Sequence, residues 1–239
     1  MNSKSYSMAY LMDSKISDTK KNTTVTIDTI FFDSNILSDT TKVKREKSWF
    51  LPLVFVYIWN SQSKCVQGKS MIEEDIPVFL KKSMINEINR SGNFKMDTLN
   101  HADYKIELSI DNIKTEGPYA SSGFLYFALY VYGSSHTDRA GPATSNLTVS
   151  YKLKKDEQII HSNSFNSEKI TEQIKKRYTH TNNLQQDYAI SMVEATSYNF
   201  KNVIELIVND INSYFGNREG LEMPGATESI KKTLEQLPM

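Results

Sequence analysis

The sequence predicts an α+β fold: a two-layer sandwich of a mainly antiparallel or mixed sheet, with two long helices packed on one face. Two observations predict it. Apolar residues recur at helical spacing near residues 71–91 and again near 183–216, and several other segments alternate apolar and polar residues with period two. Each element therefore has one apolar side. Packing both helices on the same face of one sheet buries all of these sides together.

The chain is predicted to divide into an N-terminal arm over residues 1–22, one domain over 23–216 and a tail over 217–239. The segment Ser5–Asp13 in the arm is predicted as a strand or an ordered extended stretch. Thr23–Phe32 has the alternation of a strand, and Val25, Ile27 and Phe31 are expected on its inner face.

The most apolar stretch runs from Trp49 to Trp59 and reads WFLPLVFVYIW. It is far shorter than the roughly 20 residues that a membrane-spanning helix needs, so an apolar strand or loop is expected. An alternative is an internal lipoprotein signal, because basic residues between Lys42 and Lys47 precede the stretch and Cys65 follows it. Lys64 stands where such a signal has a small residue, which favours the strand or loop.

The first helix is expected from about 71 to 91, and its start has two solutions. Ser70 has capping-box spacing to Glu73, but a helix capped there would be bent at Pro77. If Asp75 is the cap, Pro77 falls in the first turn, where proline is tolerated. Gly92 is expected to end the helix as a left-handed C′ residue.

The next segments are predicted as strands. Residues 103–111 alternate cleanly, and Glu116-Gly117-Pro118 is expected to break this strand. Gly123–Tyr132 is apolar on both faces and is predicted as a central strand covered on two sides. His136–Asn146 is predicted as a loop.

A hairpin follows, with strands over Leu147–Leu153 and Gln158–Phe165 and a turn at Lys155–Glu157. The segment Ser167–Asn183 leaves strand, helix and loop open. The last helix is expected to begin near Asn183 and to stop at Gly216. In the tail, Thr227 is placed to cap a short helical turn.

Two short junctions within this order resemble those of bacterial cell-envelope lipoproteins. Arg90-Ser91-Gly92-Asn93-Phe94 closes the first helix, and Ala102-Asp103-Tyr104 opens the following strand. The whole order, over about residues 24–216, is similar to the lipopolysaccharide-transport lipoprotein that sits inside its outer-membrane translocon. It is also similar to the amino-terminal domain of the Tol-system periplasmic protein. The chain departs from the family in its apolar insertion at 49–59 and in lacking the lipid-modified cysteine at residue 1.

The resemblance implies a non-enzymatic role in the bacterial cell envelope, in the periplasm or anchored to the outer membrane, if a leader has been removed. It implies binding to an envelope protein or to an apolar ligand or lipid, and it assigns no functional residue. A cytoplasmic location is the alternative.

Composition excludes several classes of protein. Lys+Arg and Asp+Glu are 28 each, so the chain lacks the net basic charge of most nucleic-acid binders. A mean hydropathy of −0.47 with 23% charged residues excludes a polytopic membrane protein. One cysteine excludes an intramolecular disulfide and a cysteine-based zinc site. No metal or cofactor is expected.

Candidate catalytic residues are sparse. His136, Asp138 and Arg139 are close in the sequence, and a cytosolic α+β enzyme that uses this predicted loop is one alternative function. His101 and Asp103 form a second, weaker pair. The acidic run Glu73–Asp75 is explained by a helix dipole without catalysis. A small-molecule-binding module, with its pocket between sheet and helices, is the other alternative.

Aromatic residues give a more specific hypothesis. The candidate interaction surface comprises Trp49, Phe50, Phe55, Tyr57 and Trp59, and Tyr126, Tyr130 and Tyr132 add to the excess. Ordinary core packing is one interpretation. The other is an exposed apolar surface for a partner protein, a lipid or the edge of a bilayer.

Overall fold

The computed structural model describes residues 4–18, 20–33, 37, 42–45, 55–97, 102–128, 130–177 and 181–221. These residues form an open mixed sheet of nine strands and two α-helices, which confirms the predicted α+β class. The strands are β1 (Thr24–Phe32), β2 (Lys42–Arg45), β3 (Phe55–Val66), β4 (Lys95–Met96), β5 (Tyr104–Ala128), β6 (Val131–Ala140), β7 (Thr144–Lys155), β8 (Gln158–Ile170) and β9 (Ile174–Arg177). The helices are α1 (Ile76–Ser91) and α2 (Thr181–Leu221).

Strand β5 is the central strand of the whole sheet. Its first half pairs with β1 in parallel on one side and with β7, antiparallel, on the other. Its second half pairs antiparallel with β3 and β6. Strands β4 and β8 complete the first half of the sheet, and the short strands β2 and β9 form the two edges of the second half.

Both helices cover the same face of the first half of the sheet. One continuous core contains the inner residues of β1, β5 and β7 together with the apolar sides of α1 and α2. Phe79 of α1 meets Phe200 of α2 edge to face, with ring centroids 5.5 Å apart. The opposite face of β5 and β7 is lined by residues such as Lys105, Glu107 and Lys152, so this part is a two-layer sandwich with one hydrated face.

Two irregularities change which residues face the core. In β5 the core residues are Ile106, Leu108 and Ile110 before a register shift, and Ile113 after it. In β1 a shift after Ile27 has the same effect, so the prediction that Phe31 faces inward is wrong: its side chain is exposed.

The predicted break at Gly117-Pro118 is also wrong, because β5 continues through it. The ladder with β7 ends at Glu116 and the ladder with β6 begins at Tyr119, so Pro118 lies where the neighbouring strand changes. Its carbonyl oxygen accepts a hydrogen bond from the Gly141 amide at 2.8 Å on that side. A proline nitrogen costs no ladder bond at such a gap.

Helix α1 begins at Ile76 with Asp75 at the N-cap position and Pro77 in the first turn, so the solution with Ser70 as cap is wrong. The acidic run Glu73–Asp75 therefore precedes the helix. Gly92 ends the helix as expected, but at φ −67°, not in the left-handed region. Glycine is required there for space, since a Cβ would lie 2.5 Å from the Ile88 carbonyl oxygen.

Three other boundaries differ from the prediction. Residues 136–140 belong to strand β6, so His136–Asn146 is not one loop. The open segment after Ser167 contains the end of β8 and all of β9. Helix α2 passes Gly216 and ends at Leu221; the predicted turn at Thr227 lies outside the described residues.

The N-terminal arm packs across the helical layer with one isolated bridge, between Tyr6 and Ile72. Met8 enters the core, and the Tyr10 hydroxyl donates to the buried Glu87 carboxylate at 2.7 Å. The Ser17 amide donates to the Arg90 carbonyl at 2.9 Å. These contacts fix the arm to the domain.

Candidate functional site

The second half of β5 forms, with β3 and β6, a three-stranded extension beyond the helices. The helical layer reaches it only at its base, where Tyr119 and Ala140 pack against Leu184, Tyr188 and Met192 of α2. No described residue of either helix contributes to the core beyond this level. We call the part comprising 55–59, 123–128 and 130–132 the apolar tip.

Strand register assigns the tip's residues to two faces. On the helix side lie three successive rows: Phe55–Phe127–Tyr132, Tyr57–Leu125–Ser134 and Trp59–Gly123–His136. On the other side lie Val56–Tyr126–Gly133 and Ile58–Phe124–Ser135. Both faces are therefore apolar near the end of the extension.

Most of the large apolar side chains of this tip are exposed. Tyr130 is 100% exposed, Tyr132 is 70% and Phe127 is 53%. Eight of the large hydrophobic residues that are exposed among the described residues belong to the tip: Phe55, Tyr57, Ile58, Phe124, Phe127, Tyr130, Val131 and Tyr132. The prediction that Gly123–Tyr132 is a strand covered on two sides is therefore wrong.

Of the predicted interaction residues, Phe55 and Tyr57 are exposed and Trp59 is half-buried. Their rings lie on the helix-side face, and Tyr57 stacks on Trp59 at a centroid distance of 5.6 Å. Trp49 and Phe50 lie outside the described residues. Core packing does not account for the members that the structure describes.

The tip also lacks formal charge. No Asp, Glu, Lys or Arg occurs from Ser48 to Ser63 or from Gly117 to Thr137. The short edge strands at its base are strongly basic: β2 reads KVKR and β9 reads IKKR, with no acidic residue in either. We call β2 and β9 the basic edge strands.

A hydrogen-bonded cluster lies at the base of the helix-side face. Asp138, which is only 3% exposed, accepts a hydrogen bond from the Tyr119 hydroxyl at 3.1 Å, and its other oxygen lies 2.6 Å from His136 Nε2. The Trp59 indole donates to Ser121 Oγ at 3.4 Å and packs beside the His136 ring. Burial, followed by the Asp138 charge, raises the pKa of the Tyr119 hydroxyl above its usual value.

This cluster does not have the geometry of a catalytic triad. Ser121 Oγ, at 3.3 Å, and Asp138 Oδ1 both approach the same nitrogen of His136, Nε2. A triad needs the nucleophile on one ring nitrogen and the orienting carboxylate on the other. Arg139, the third residue of the enzyme hypothesis, is exposed on the opposite face of β6.

Other candidate groups are dispersed. His161 contacts Asp210 far from the tip, and His101 and His180 lie outside the described residues. Within the described ranges, no three His, Cys, Asp or Glu side chains are grouped as metal ligands. Cys65 lies in β3 opposite Gly117, where burial raises the pKa of its thiol, the opposite of what a reactive thiolate needs.

A separate cleft lies along α2. It has a volume of about 1140 Å³ and is enclosed by the arm near Tyr6, by the β8–β9 connection near Ile170 and by α2 from Ile190 to Lys201. Lys169 lies over the Tyr198 ring at its mouth, 4.4 Å from the ring centroid. This is the nearest counterpart to the predicted pocket for a small molecule.

Comparisons with known proteins are limited. No protein-family model matches the chain, and no curated protein matches it. Among solved structures, the chain is similar to the crystal structure of a Xanthomonas campestris protein of the family DUF330, with a TM-score of 0.46 and 10% identity over 91% of this chain and 99% of that one. A likeness of this size supports no inference about function.

Sequence reasoning missed Ile58, Phe124, Phe127 and Val131 as surface residues, and it did not connect the tip with the two basic edge strands. The available signal was the run without charged residues from Gly117 to Thr137. This run is longer than one buried strand, because it includes a turn and most of the strand that follows it. Among the described residues, no helix combines the length and hydropathy needed to cross a membrane.

Proposed function

We propose that this chain is a non-enzymatic domain of the bacterial cell envelope, and that it binds a partner protein or an apolar ligand through the apolar tip. The observation that carries the proposal is the exposure of eight large apolar side chains on both faces of one projecting sheet. Monomeric soluble proteins rarely leave such a contiguous patch uncovered, and larger patches mark interaction sites.

The size of the tip supports a binding role. Aromatic side chains bury about 150–250 Å² each when fully covered. Six of the eight side chains are aromatic, and the eight are 39–100% exposed. Together they offer on the order of 800 Å² over the two faces, which is similar to the area that one partner contributes to a standard protein interface. The envelope location rests on the resemblance to envelope lipoproteins in element order and junctions.

The proposal is tested in the source cells. A photoreactive phenylalanine analogue in place of Phe127 should cross-link the chain to a specific envelope component. The same analogue in place of Leu206, an exposed apolar residue of α2, is the matched control and should give little product. Fractionation should recover the chain with the periplasm or the outer membrane.

Equal cross-linking from the two positions would contradict the assignment of the tip as the binding surface. Recovery of the chain in the cytosol would contradict the envelope location.

The cleft along α2 favours a second candidate, a small-molecule-binding module. Its volume of about 1140 Å³ is enough for a drug-sized ligand. Native mass spectrometry of the purified chain should then show a co-purified compound that Ala195→Trp, a substitution in the cleft wall, displaces. A ligand-free spectrum for the unmodified chain would count against this candidate.

A further inference from the structure

We propose that the chain forms a two-fold symmetric dimer, in which the free edge of strand β8 pairs with the same edge of a second copy. The proposal does not depend on the binding role of the apolar tip. Three observations carry it: the length and lack of charge of the β8 edge, the direction of its backbone hydrogen-bonding groups, and the fit of this edge to its own copy.

Strand β8 is a long edge strand. It has 13 residues and, among the residues that the structure describes, it pairs only with β7. No Asp, Glu, Lys or Arg occurs from Gln158 to Ser167, and the strand contains no proline. Proteins protect sheet edges by keeping them short, charged or interrupted. The basic edge strands are of this kind, with 4 residues each, whereas β8 is open to another strand.

The backbone groups that face outward belong to every second residue of β8. The Thr171 amide donates to the Ala143 carbonyl at 2.9 Å, just beyond the end of the β7–β8 ladder. Residues of an antiparallel strand alternate between its two sides, so Thr171 and every second residue before it face β7. The Ser164 amide agrees with this alternation, because it donates to the side chain of Asn163 at 2.9 Å. The outward groups belong to five exposed residues: Ser162, Ser164, Asn166, Glu168 and Ile170.

The outward residues are symmetric about Asn166. A row of alternating backbone donors and acceptors is matched by another extended backbone, so the occupant of this edge is a β-strand. With a two-fold axis at Asn166, Glu168 faces Ser164 of the second copy and Ile170 faces Ser162. All five outward residues are then paired at once, with about ten main-chain hydrogen bonds between the copies. A second copy therefore uses the whole free edge.

The helix-side residues of β8 are compatible with the same register. Lys169 faces Asn163 of the second copy, and Phe165 faces Ser167, so no two like charges lie opposite each other. A register moved by one residue, with the axis at Phe165, would place Lys169 opposite His161. Charge therefore also favours the axis at Asn166.

Helix α2 adds to the area of this edge. It lies over β8 along its length, because Lys169 lies 4.4 Å from the centroid of the Tyr198 ring and His161 stacks on Tyr214 at 4.8 Å. An edge made of sheet and helix is about 35 Å long over residues 161–171 and about 20 Å deep. Each copy therefore covers on the order of 700 Å², close to the area that one partner contributes to a standard interface.

The dimer leaves both tips free. Strand β8 runs parallel to β5, because both strands are antiparallel to β7. The two-fold axis reverses the strand direction, so the apolar tips of the two copies point to opposite ends of one continuous sheet. The dimer therefore joins two partners of the tip, one at each end.

The oligomeric state of the purified full chain is measured by sedimentation velocity. At about 10 μM the chain should sediment as a dimer, with twice the chain mass of 27.4 kDa. Asn166→Pro should sediment as a monomer, because it removes the amide at the centre of the ladder and no bond to β7. Asn166→Ala keeps this amide and is the matched control, which should remain dimeric. Far-ultraviolet circular dichroism should show the same sheet content in both variants.

The register is tested by charge. Ser164→Glu places a carboxylate opposite Glu168 of the second copy on both sides of the axis, and it should raise the dissociation constant about tenfold. Adding Glu168→Lys to this variant turns repulsion into attraction and should restore the original dissociation constant. Such a rescue does not occur if the first substitution acts by misfolding.

The axis is tested by cross-linking. In a Cys65→Ser background, Asn166→Cys places two Cα atoms about 5.5 Å apart across the axis, within the range of a disulfide. Mild oxidation should link the two copies. Ser150→Cys lies on the same face of β7, one strand further from the edge, and is the control. Its copies are at least about 14 Å apart and should not link.

Three results would overturn the proposal. The first is a chain that stays monomeric at this concentration. The second is a dimer that neither Asn166→Pro nor Ser164→Glu dissociates; if Phe124→Ser/Phe127→Ser dissociates it, the second copy occupies the apolar tip. The third is a monomer in which the Ser164 and Asn166 amides exchange slowly with solvent, since this edge is then covered within the chain.

Discussion

Gly123 sets the position of the only described tryptophan ring. A Cβ at this position would lie 2.2 Å from Trp59 Cζ2 and 2.5 Å from the Ser135 carbonyl oxygen. Only glycine lets the indole lie flat against β5, with its nitrogen at Ser121 and its ring beside His136. The absence of a side chain at residue 123 therefore allows the Trp59 ring to cover the base of the tip's helix-side face.

Gly123→Ala should displace the Trp59 ring and lower the free energy of unfolding by about 1–3 kcal/mol, the usual cost of overpacking. In a Trp49→Phe background, the Trp59 emission should shift to longer wavelength. Gly133→Ala is the matched control, because no atom lies within 4 Å of its added Cβ. An unchanged emission spectrum in Gly123→Ala would contradict this role.

At the scale of elements, Asp210 joins α2 to the β7–β8 hairpin. Its Oδ2 accepts the Tyr151 hydroxyl, lies 3.0 Å from His161 Nε2 and accepts from Asn163 Nδ2 at 3.3 Å. Burial alone would raise the pKa of Asp210, but these hydrogen bonds outweigh it and hold the pKa below its usual value. The carboxylate form is therefore favoured by folding.

Asp210→Asn should lower the free energy of unfolding by about 1–2 kcal/mol at pH 7, since hydrogen bonds to a charged group are lost. A lowered native pKa stabilises the fold above the unfolded pKa of about 3.9 and ceases to do so as the pH falls through the native value. The difference from the unmodified chain should therefore shrink below about pH 4.

Urea unfolding at pH 7 and pH 3 measures this difference. The exposed Asp18, changed to Asn, is the control and should have little effect at either pH. A difference for Asp210→Asn that is equally large at pH 3 would contradict the assignment.

A second polar group fixes α2 on the sheet. The Thr196 hydroxyl shares a hydrogen bond of 2.8 Å with the Thr115 hydroxyl and donates to the Gln67 side-chain oxygen at 2.7 Å. The Asn199 side-chain amide donates to the Ser145 carbonyl at 2.9 Å. All five residues are buried. Because each buried polar group needs its partner, sliding α2 along the sheet would leave several unsatisfied, so this cluster specifies one position for the helix.

Asn199→Leu should accordingly cost about 2–3 kcal/mol despite its similar volume, because the Ser145 and Ser167 groups lose their partner. Equilibrium unfolding in urea measures the cost. The neighbouring Tyr198→Leu, at an exposed position, is the control. A loss below about 0.5 kcal/mol in Asn199→Leu, comparable to an ordinary surface substitution, would show that the cluster does not fix the helix.

At the scale of the whole molecule, stability and surface are separated in space. The core belongs to the first half of the sheet and its helices, while the uncharged exposed residues belong to the second half. Phe124→Ser/Phe127→Ser should therefore change the free energy of unfolding by less than about 1 kcal/mol and should raise solubility.

Phe200→Ala, within the core, should cost about 3–5 kcal/mol in the same urea experiment. A comparable loss from the tip variant would show that the tip contributes to the core.

Much of the architecture was predictable because it depends on local periodicity. The stripe on α2, the alternation in β7 and the choice of Asp75 or Ser70 as cap all follow from neighbours in sequence. The bulges that turn Phe31 outward were not predictable, because a register shift is fixed by the pairing strand. The strand through Pro118 was missed for a similar reason: its tolerance depends on where β7 ends and β6 begins.

The candidate site was only partly predictable. Composition identified Phe55, Tyr57 and Trp59 as candidates. A strand that is apolar on both faces, however, can equally be buried in a core or face a lipid or a partner protein. Which of these holds depends on how far α2 extends over β5, and that is a property of the packed molecule. His136 and Asp138 were singled out because they are close in the sequence, in a predicted loop. Their contact, and the approach of Ser121 and Asp138 to the same ring nitrogen, depend on the strand that forms there.

The continuity of β5 has a mechanical consequence. One unbroken strand runs from under both helices to the end of the tip, so a pull on Phe127 acts lengthwise on the same backbone that pairs with β1 and β7. A force in this direction shears the hydrogen bonds between β5 and its neighbours β1 and β7, so all of these bonds share the load and do not break one after another. If the tip anchors the chain while other forces act on its body, the strand that transmits the force to the tip is also the strand at the centre of the core.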